Sequence, residues 1–262
     1  MDIARIQAYL RHLAGAMYVV GRAPGFMTFF HATDDMRHVN YAIPDADWER
    51  AGGGSFALLR REFEGRSRLP RLKFIEEFAP TLPDALRAAD FVEEYRGPMM
   101  LCTRETLAAA PDVAGLTVER VDRNDDEALR ELVRTQREGF GVAAGWTPTP
   151  EDLVYPRAAL VDGAAFVGRY GGRYSGRYGG AAVGAGLINR PHDGLTELAG
   201  VATLEAYRRR GVAAAVCVAA AAHAFDSGVE AVCLSAGDEG STRVYERAGF
   251  SVVATMLAYA DP

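Results

Sequence analysis

The sequence has few of the residues that build metal sites and disulfide frameworks. Its 262 residues include three cysteines and five histidines. Cys102, Cys217 and Cys233 lie far apart in apolar surroundings, and the histidines are equally scattered. No CxxC pair or Cys/His group therefore has the spacing of metal ligands. We expect three buried thiols and no metal.

The sequence also lacks a long apolar run. No stretch reaches the roughly 18 uncharged apolar residues that a membrane-spanning helix needs. The first residues, MDIARIQAYLRHLAG, do not show the basic-then-apolar order of a signal peptide. We therefore expect no membrane association and a cytoplasmic protein.

An excess of positive charge is missing as well, because the formal net charge is −6. This argues against a nucleic-acid partner held by phosphate contacts and favours a cationic or neutral substrate. One segment leaves an alternative, since GRYGG occurs at residues 168–172 and again at 176–180. RGG-like nucleic-acid segments also interleave Arg and Tyr, but they are longer and basic overall. We interpret the repeat as an extended hairpin.

A regular order of elements begins at residue 116. Alternation predicts strands in LTVERV, AAFVGRY, GGAAVGAGLI and LTELAGVAT, with the amphipathic helix DDEALRELVRTQREGF after the first. An Ala-rich helix, GVAAAVCVAAAAHAF, the buried strand VEAVCLSA, the helix STRVYERAG and the strand FSVVATMLAY follow. This order predicts an α/β or α+β fold with a mixed sheet covered on both faces.

The N-terminal part of the chain repeats some of this order. LKFIEEFAPTLPDALRAADFVEEYRGPMML follows the same strand, helix, strand order as AVCLSAGDEGSTRVYERAGFSVVATML, and superposing them places Leu86 on Tyr245. The link TLAAAPDVAGL has no clear period. We predict two domains, residues 1–112 and 113–262. One continuous domain is the alternative.

An Arg- and Gly-rich turn connects a strand to the Ala-rich helix in GVATLEAYRRRGVAAAV. Gly211 has no Cβ, so backbone N–H groups can approach a ligand closely. The helix start supplies unpaired donors and a partial positive charge, and Arg208, Arg209 and Arg210 add formal charge. This combination suits a diphosphate group. A solvated turn is the alternative interpretation.

A second segment, STRVYERAGF, places Tyr245 on the last helix, with Gly249 four residues later and then Phe250. For an isolated tyrosine, the alternative is a half-buried aromatic whose hydroxyl merely finds a partner.

Together the two segments resemble the GNAT superfamily, the GCN5-related N-acetyltransferases. Its acyl-CoA motif Q/R-x-x-G-x-G/A is filled by Arg208, Gly211 and Ala213, and Tyr245 has the spacing of its last helix. The resemblance covers about residues 116 to 260, with all elements in family order. It implies the GNAT fold, in which helices flank a central mixed, mostly antiparallel sheet. The N-terminal part would then be a smaller, degenerate GNAT-like lobe that binds no cofactor, because Leu86 stands in the tyrosine position.

The resemblance implies a site for acetyl-CoA as co-substrate. The strand from Gly200 to Thr203 would carry a bulge and offer backbone groups to the thioester and the pantetheine amides. Two positions depart from the family, since Asp238 or Ser241 stands where Asn is common and Glu205 where Pro is common. The residues that we expect to bind the cofactor are Val201, Ala202, Thr203, Arg208, Arg209, Arg210, Gly211, Val212, Ala213 and Ser241.

By the same resemblance the protein would move an acetyl group from acetyl-CoA to a primary amine, by direct attack in a ternary complex. The family tyrosine lies near the thioester sulfur, so Tyr245 is the expected general acid for the departing thiolate. A free amino group has a pKa of about 7.7 to 10.4, so a base is required. Glu197 is the candidate base, and a salt-bridged structural Glu is the alternative.

Several properties stay open at this point. The acceptor is a small-molecule or peptide amine that the sequence does not name. A non-catalytic acyl-CoA sensor or scaffold is the alternative function. The N-terminal lobe would complete the substrate cleft, cover a sheet edge or form a homodimer contact.

Overall fold

The computed structural model describes residues 2–52, 54–171 and 180–262, and they form two compact units. The N-terminal unit comprises Met1–Met99 with Val252–Pro262, and the C-terminal unit comprises Met100–Ser251. Most of the second GRYGG copy lies outside the described residues, so the hairpin interpretation stays a prediction there.

The N-terminal unit has an aromatic core. Phe26, Phe63 and Phe74 are fully buried, and Leu86 packs with them in the same cluster. In chain order the elements that begin in this unit are α1 (Ile3–Met17), β1 (Val19–Ala23), β2 (Phe26–Phe30), β3 (Tyr41–Pro44), α2 (Ser55–Glu64), β4 (Arg71–Ile75), α3 (Leu82–Ala88) and β5 (Val92–Thr103).

In the C-terminal unit, helices cover both faces of a mostly antiparallel sheet, which confirms the expected fold class. The elements are β6 (Leu116–Arg120), α4 (Asp126–Gly139), α5 (Val154–Ala159), β7 (Ala164–Tyr170), β8 (Ala181–Ile188), β9 (Leu195–Thr203), α6 (Val212–Asp226), β10 (Ala231–Ser235) and α7 (Glu239–Arg247). The strand order is β5-β10-β9-β8-β7-β6, with antiparallel pairing from β6 to β9 and parallel pairing of β9 with β10. Helix α4 packs on one face, and α6 and α7 pack on the other.

The last strand, β11 (Ser251–Ala260), lies almost wholly in the N-terminal unit. Its residues Met256–Ala260 pair antiparallel with β4. The end of β5, from Met100 onward, belongs instead to the C-terminal unit. Sheet hydrogen bonds thus place each of these strand segments in the unit built mainly from the other part of the sequence. The expected division into residues 1–112 and 113–262 stays a prediction.

Helix α6 lies close to the backbone of β7 and β8. A Cβ atom on Gly184 would collide with Val212, and one on Gly186 would lie 2.9 Å from Val216 Cγ1. The Ala-rich face of the helix is fully buried at Ala220. Glycines in these strands thus let the helix approach, and the packing places the start of α6 over the sheet.

A buried arginine links α4 to the sheet. Arg169 in β7 is 2% exposed, and its guanidinium donates twice to Glu131 of α4, once to Oε1 at 3.0 Å. Its Nε lies 3.3 Å from Glu119 Oε2 on β6. The sequence patterns identify Arg169 only as part of the hairpin repeat, so this ion-pair cluster is a finding of the structure.

We expect Arg169→Ala to lower the free energy of unfolding by about 3 kcal/mol, because two largely buried carboxylates lose their cation. Urea unfolding followed by circular dichroism measures this change. The matched control is Arg243→Ala, which removes an exposed pair with Glu239 and costs about 0.5 kcal/mol or less. Equal losses of unfolding free energy in the two variants would contradict a stabilising role for the buried Arg169 ion pairs.

Candidate active site

Strands β9 and β10 pair over a short distance only. The parallel register joins three residue pairs and ends where Cys233 faces Glu197. Strand β9 continues to Thr203, but within the described ranges no further pair connects it to β10. We call Leu198–Thr203 the open edge of β9, because its backbone groups on this side are not used by β10.

A bulge shapes this open edge. Strand β8 pairs Ala185 with Ala202 and Leu187 with Ala199, so two residues of β9 stand opposite Gly186. One of them, Gly200, has a φ of 59°, and its carbonyl accepts a 3.0 Å hydrogen bond from Gln136 Nε2 of α4. A Cβ atom on Gly200 would collide with that amide. The expected bulge is therefore present, and a helix holds it.

The turn after β9 ends in a left-handed glycine that begins α6. Gly211 has a φ of 85°, and a Cβ atom there would lie 2.9 Å from Val113 Cγ2. Among the described residues no side chain caps the helix, and its hydrogen-bond ladder starts at Ala215 N–H, which donates to Gly211 O at 3.0 Å. The amides of Val212 and Ala213 therefore form an uncapped, partially positive helix end.

The first arginine of the turn has a structural use. Arg208 Nε donates to Thr203 O at 3.3 Å, and Nη2 donates to Gly139 O at 3.1 Å. These bonds connect the turn to the end of β9 and to the end of α4. Thr203 Oγ1 is buried and has no hydrogen-bond partner in the described part of the chain.

The other two arginines form no ion pair with any described residue. Arg209 is exposed and left-handed, with a φ of 61°. The guanidinium carbon of Arg210 lies 5.3 Å from the centroid of the Tyr207 ring, which stacks on Tyr170 at 5.5 Å. Their positive charges thus remain beside the start of α6, where they favour an anion.

The Tyr-x-x-x-Gly-Phe spacing forms the end of helix α7. Phe250 N–H donates to Tyr245 O at 3.0 Å, and Gly249 between them has a φ of 100°. A Cβ atom on Gly249 would collide with Thr106 O. This is a left-handed helix end of the Schellman type, and it fixes Tyr245, which is 9% exposed, in the cluster between α6 and α7.

The start of α7 is a capping box. Asp238 Oδ1 accepts from Ser241 N at 2.6 Å, and Asp238 N donates to Ser241 Oγ at 3.0 Å. The bond from Ser241 N–H to the carboxylate, helped by the Ser241 side chain, holds the pKa of Asp238 below its usual value. Ser241 thus has a helix-capping role, and its expected contact with a cofactor stays a prediction.

Glu197 lies at the inner end of the open edge. Side chains alternate along β9, and Leu198 packs with α6, so Glu197 points to the face of α4 and α5. Its Oε2 accepts from Asn189 Nδ2 at 2.9 Å. Desolvation, together with the negative charge of Glu197, raises the pKa of the Tyr155 phenol on α5.

A family model described as the acetyltransferase (GNAT) family matches residues 127–250. Residues 127–250 are a GNAT-family domain. This segment contains the open edge of β9, the uncapped start of α6 and Tyr245.

Solved structures of GNAT proteins share the fold of this chain. A GCN5-related N-acetyltransferase from Kribbella flavida aligns with a TM-score of 0.78 and 23% identity, over 99% of this chain and 95% of that one. A second, from Sphaerobacter thermophilus, aligns at 0.66 and 17% over 90% and 76% of the two chains. A tandem GNAT protein from the clavulanic acid biosynthesis pathway aligns at 0.60 and 10% over 90% and 77%. No curated protein sequence matches this chain significantly.

The GNAT domain brings most of the sequence-predicted residues to one strand, the turn after it and the helix that follows. Val201, Ala202 and Thr203 lie on the open edge of β9, and Val212 and Ala213 form the first turn of α6. Their contacts with a cofactor stay predictions. Asn189 and Tyr155 were missed, because no motif or spacing connects either of them to Glu197.

The described parts of the chain contain neither a membrane-spanning helix nor a cluster of metal ligands. No helix in those ranges is long and apolar enough to cross a membrane. No group of three or more His, Cys, Asp or Glu residues there could hold a metal ion.

The three cysteines of the chain are buried. Burial raises the pKa of the Cys217 thiol to about 12 and also raises that of Cys102. Both side chains are therefore protonated at neutral pH and are poor nucleophiles.

We expect native protein at pH 8 to react slowly with a thiol reagent such as DTNB, and unfolded protein to release three equivalents at once. The high pKa and burial of the thiols cause the difference. The absorbance of the released thionitrobenzoate anion measures the rate and extent of the reaction. A thiol that reacts rapidly in the native state would show that burial does not protect it.

Proposed function

We propose that this protein is an N-acetyltransferase that transfers an acetyl group from acetyl-CoA to a primary amine. The GNAT-family domain supports acyl transfer as the general chemistry. Acetyl-CoA, the amine acceptor and direct attack in a ternary complex are the finer parts of the proposal.

The observation that carries the proposal is the open edge of β9. It runs from the last paired residue, Glu197, to the turn before α6. Six strand residues at a rise of about 3.3 Å span about 20 Å, which leaves room for an extended ligand arm along the strand. Acetyl-CoA has a thioester at one end and a nucleotide diphosphate at the other. It therefore needs reacting groups at one end of the strand and an anion site at the other.

The anion site would hold the diphosphate of acetyl-CoA. The uncapped amides of Val212 and Ala213 would donate to phosphate oxygens, and Arg209 and Arg210 would add positive charge. The unsatisfied Thr203 hydroxyl and the backbone of Val201 would contact the pantetheine arm. Arg208 would support the turn through its two bonds to backbone carbonyls.

The reaction needs two proton transfers. The amine nitrogen attacks the thioester carbon, so a C–N bond forms and the C–S bond breaks. Glu197 would accept the proton from the amine, directly or through water, and the Tyr245 hydroxyl would donate a proton to the leaving thiolate. These groups lie on opposite faces of the sheet, with the open edge between them. No covalent acyl-enzyme is required.

The first test is calorimetric titration with acetyl-CoA. We expect wild-type protein to bind at one saturable site and the Gly211→Glu variant to show no saturation, because a negative side chain would occupy the anion site. The matched control is Gly228→Glu, which places the same side chain at a left-handed glycine with open space around it, after the other end of α6. Wild-type protein that is folded but does not bind would remove the proposal and leave the scaffold alternative.

A second test addresses the general acid. We expect Tyr245→Phe to lower kcat by about 100-fold, since it removes one proton transfer, and to leave the Kd for acetyl-CoA unchanged. Thiol release with a panel of primary amines measures kcat, and calorimetry measures Kd. Tyr41→Phe, which removes a hydroxyl from the N-terminal unit, is the control. Unchanged turnover in Tyr245→Phe would exclude the phenol as the acid.

A further inference from the structure

Asn189 is a buried amide that the chemistry described so far does not use. It follows β8, is 8% exposed, and makes three hydrogen bonds to β9. Its N–H donates to Glu197 O at 2.9 Å, its carbonyl accepts from Thr196 Oγ1 at 2.6 Å, and its Nδ2 donates to Glu197 Oε2 at 2.9 Å. Two of these bonds fix the backbone, and the third engages the carboxylate.

The orientation of the amide follows from its partner. An ionised carboxylate only accepts hydrogen bonds, so the nitrogen of Asn189, and not the oxygen, must face Glu197. The bond is therefore charge-assisted, which makes it stronger than a neutral one. It holds one oxygen of the Glu197 carboxylate against the Asn189 amide.

The backbone around Asn189 has little freedom to shift. A Cβ atom on Gly163 would lie 2.5 Å from Ile188 O and 3.6 Å from the carbonyl carbon of Asn189. The connection from α5 to β7 therefore packs directly against the chain at this point. The same connection follows α5, which carries Tyr155, so this contact joins the end of α5 to the backbone at Asn189.

We propose that Asn189 is the positioning residue for Glu197. It would hold the carboxylate beside the inner end of the open edge, where the amine reacts, while touching neither acetyl-CoA nor acceptor. This inference rests on the proposed function, in which Glu197 is the base.

The test is a double-mutant cycle on kcat with Asn189→Leu and Glu197→Gln. We expect Asn189→Leu, which keeps the branching of the side chain and removes the donor, to lower kcat by about tenfold or more with an unchanged KM for acetyl-CoA. In the Glu197→Gln background it should cause no further loss, because the residue acts only through the carboxylate. Asn124→Leu, the same change in an exposed loop, is the matched control and should leave kcat unchanged.

Asn189→Asp serves as a second variant, since it keeps the shape and both backbone bonds but replaces the donor with a like charge. We expect it to lose as much kcat as Asn189→Leu, and urea unfolding checks that both variants are folded under the assay conditions. Losses that multiply in the double variant, or a full kcat in either Asn189 variant, would overturn the positioning role and leave the proposed function standing. Wild-type protein that releases no thiol with any amine would instead overturn the proposed function, and the inference with it.

Discussion

The close approach of α6 to the glycines of β7 and β8 is the constraint on which the candidate site depends. Val212 and Val216 rest on backbone positions where even a Cβ atom would be crowded. Protein interiors pack at nearly crystalline density, so these contacts fix the separation between α6 and the sheet. Its uncapped end and Gly211 are placed with it. The valines of the first turns of α6 and the glycines of the hairpin are thus two sides of one contact.

The opposite face applies a second constraint to the same strand. Helix α4 holds the bulge of β9 through Gln136, and its last residue, Gly139, lies against Ala202 and accepts a hydrogen bond from Arg208. The buried Arg169 in turn connects α4 to the sheet. The shape of the open edge therefore depends on charged and amide side chains outside β9. A pre-organised edge of this kind loses little entropy when it binds.

Polar groups in the site are divided between support and chemistry. Arg208 donates to two carbonyls, Ser241 caps α7, and Asn189 engages Glu197. Within the described ranges, Arg209 and Arg210 form no ion pair and the Thr203 hydroxyl has no hydrogen-bond partner. Sites that hold charged ligands combine ligand-binding groups with supporting groups, because a ligand-binding side chain is effective only when its neighbours orient it.

Features of the chain that depend on neighbouring residues were visible in the sequence. The glycine before α6, the short helix that carries Tyr245 and the order of strands and helices follow from local backbone preferences and from periodicity. Long-range features were not visible. The partners of Arg169, the hydrogen bond between Asn189 and Glu197, the carbonyls bound by Arg208 and the pairing of β11 with β4 became known from the fold. A side chain or strand edge offers donors and acceptors to whatever the fold brings near, and neither its residue type nor its spacing says which partner that will be.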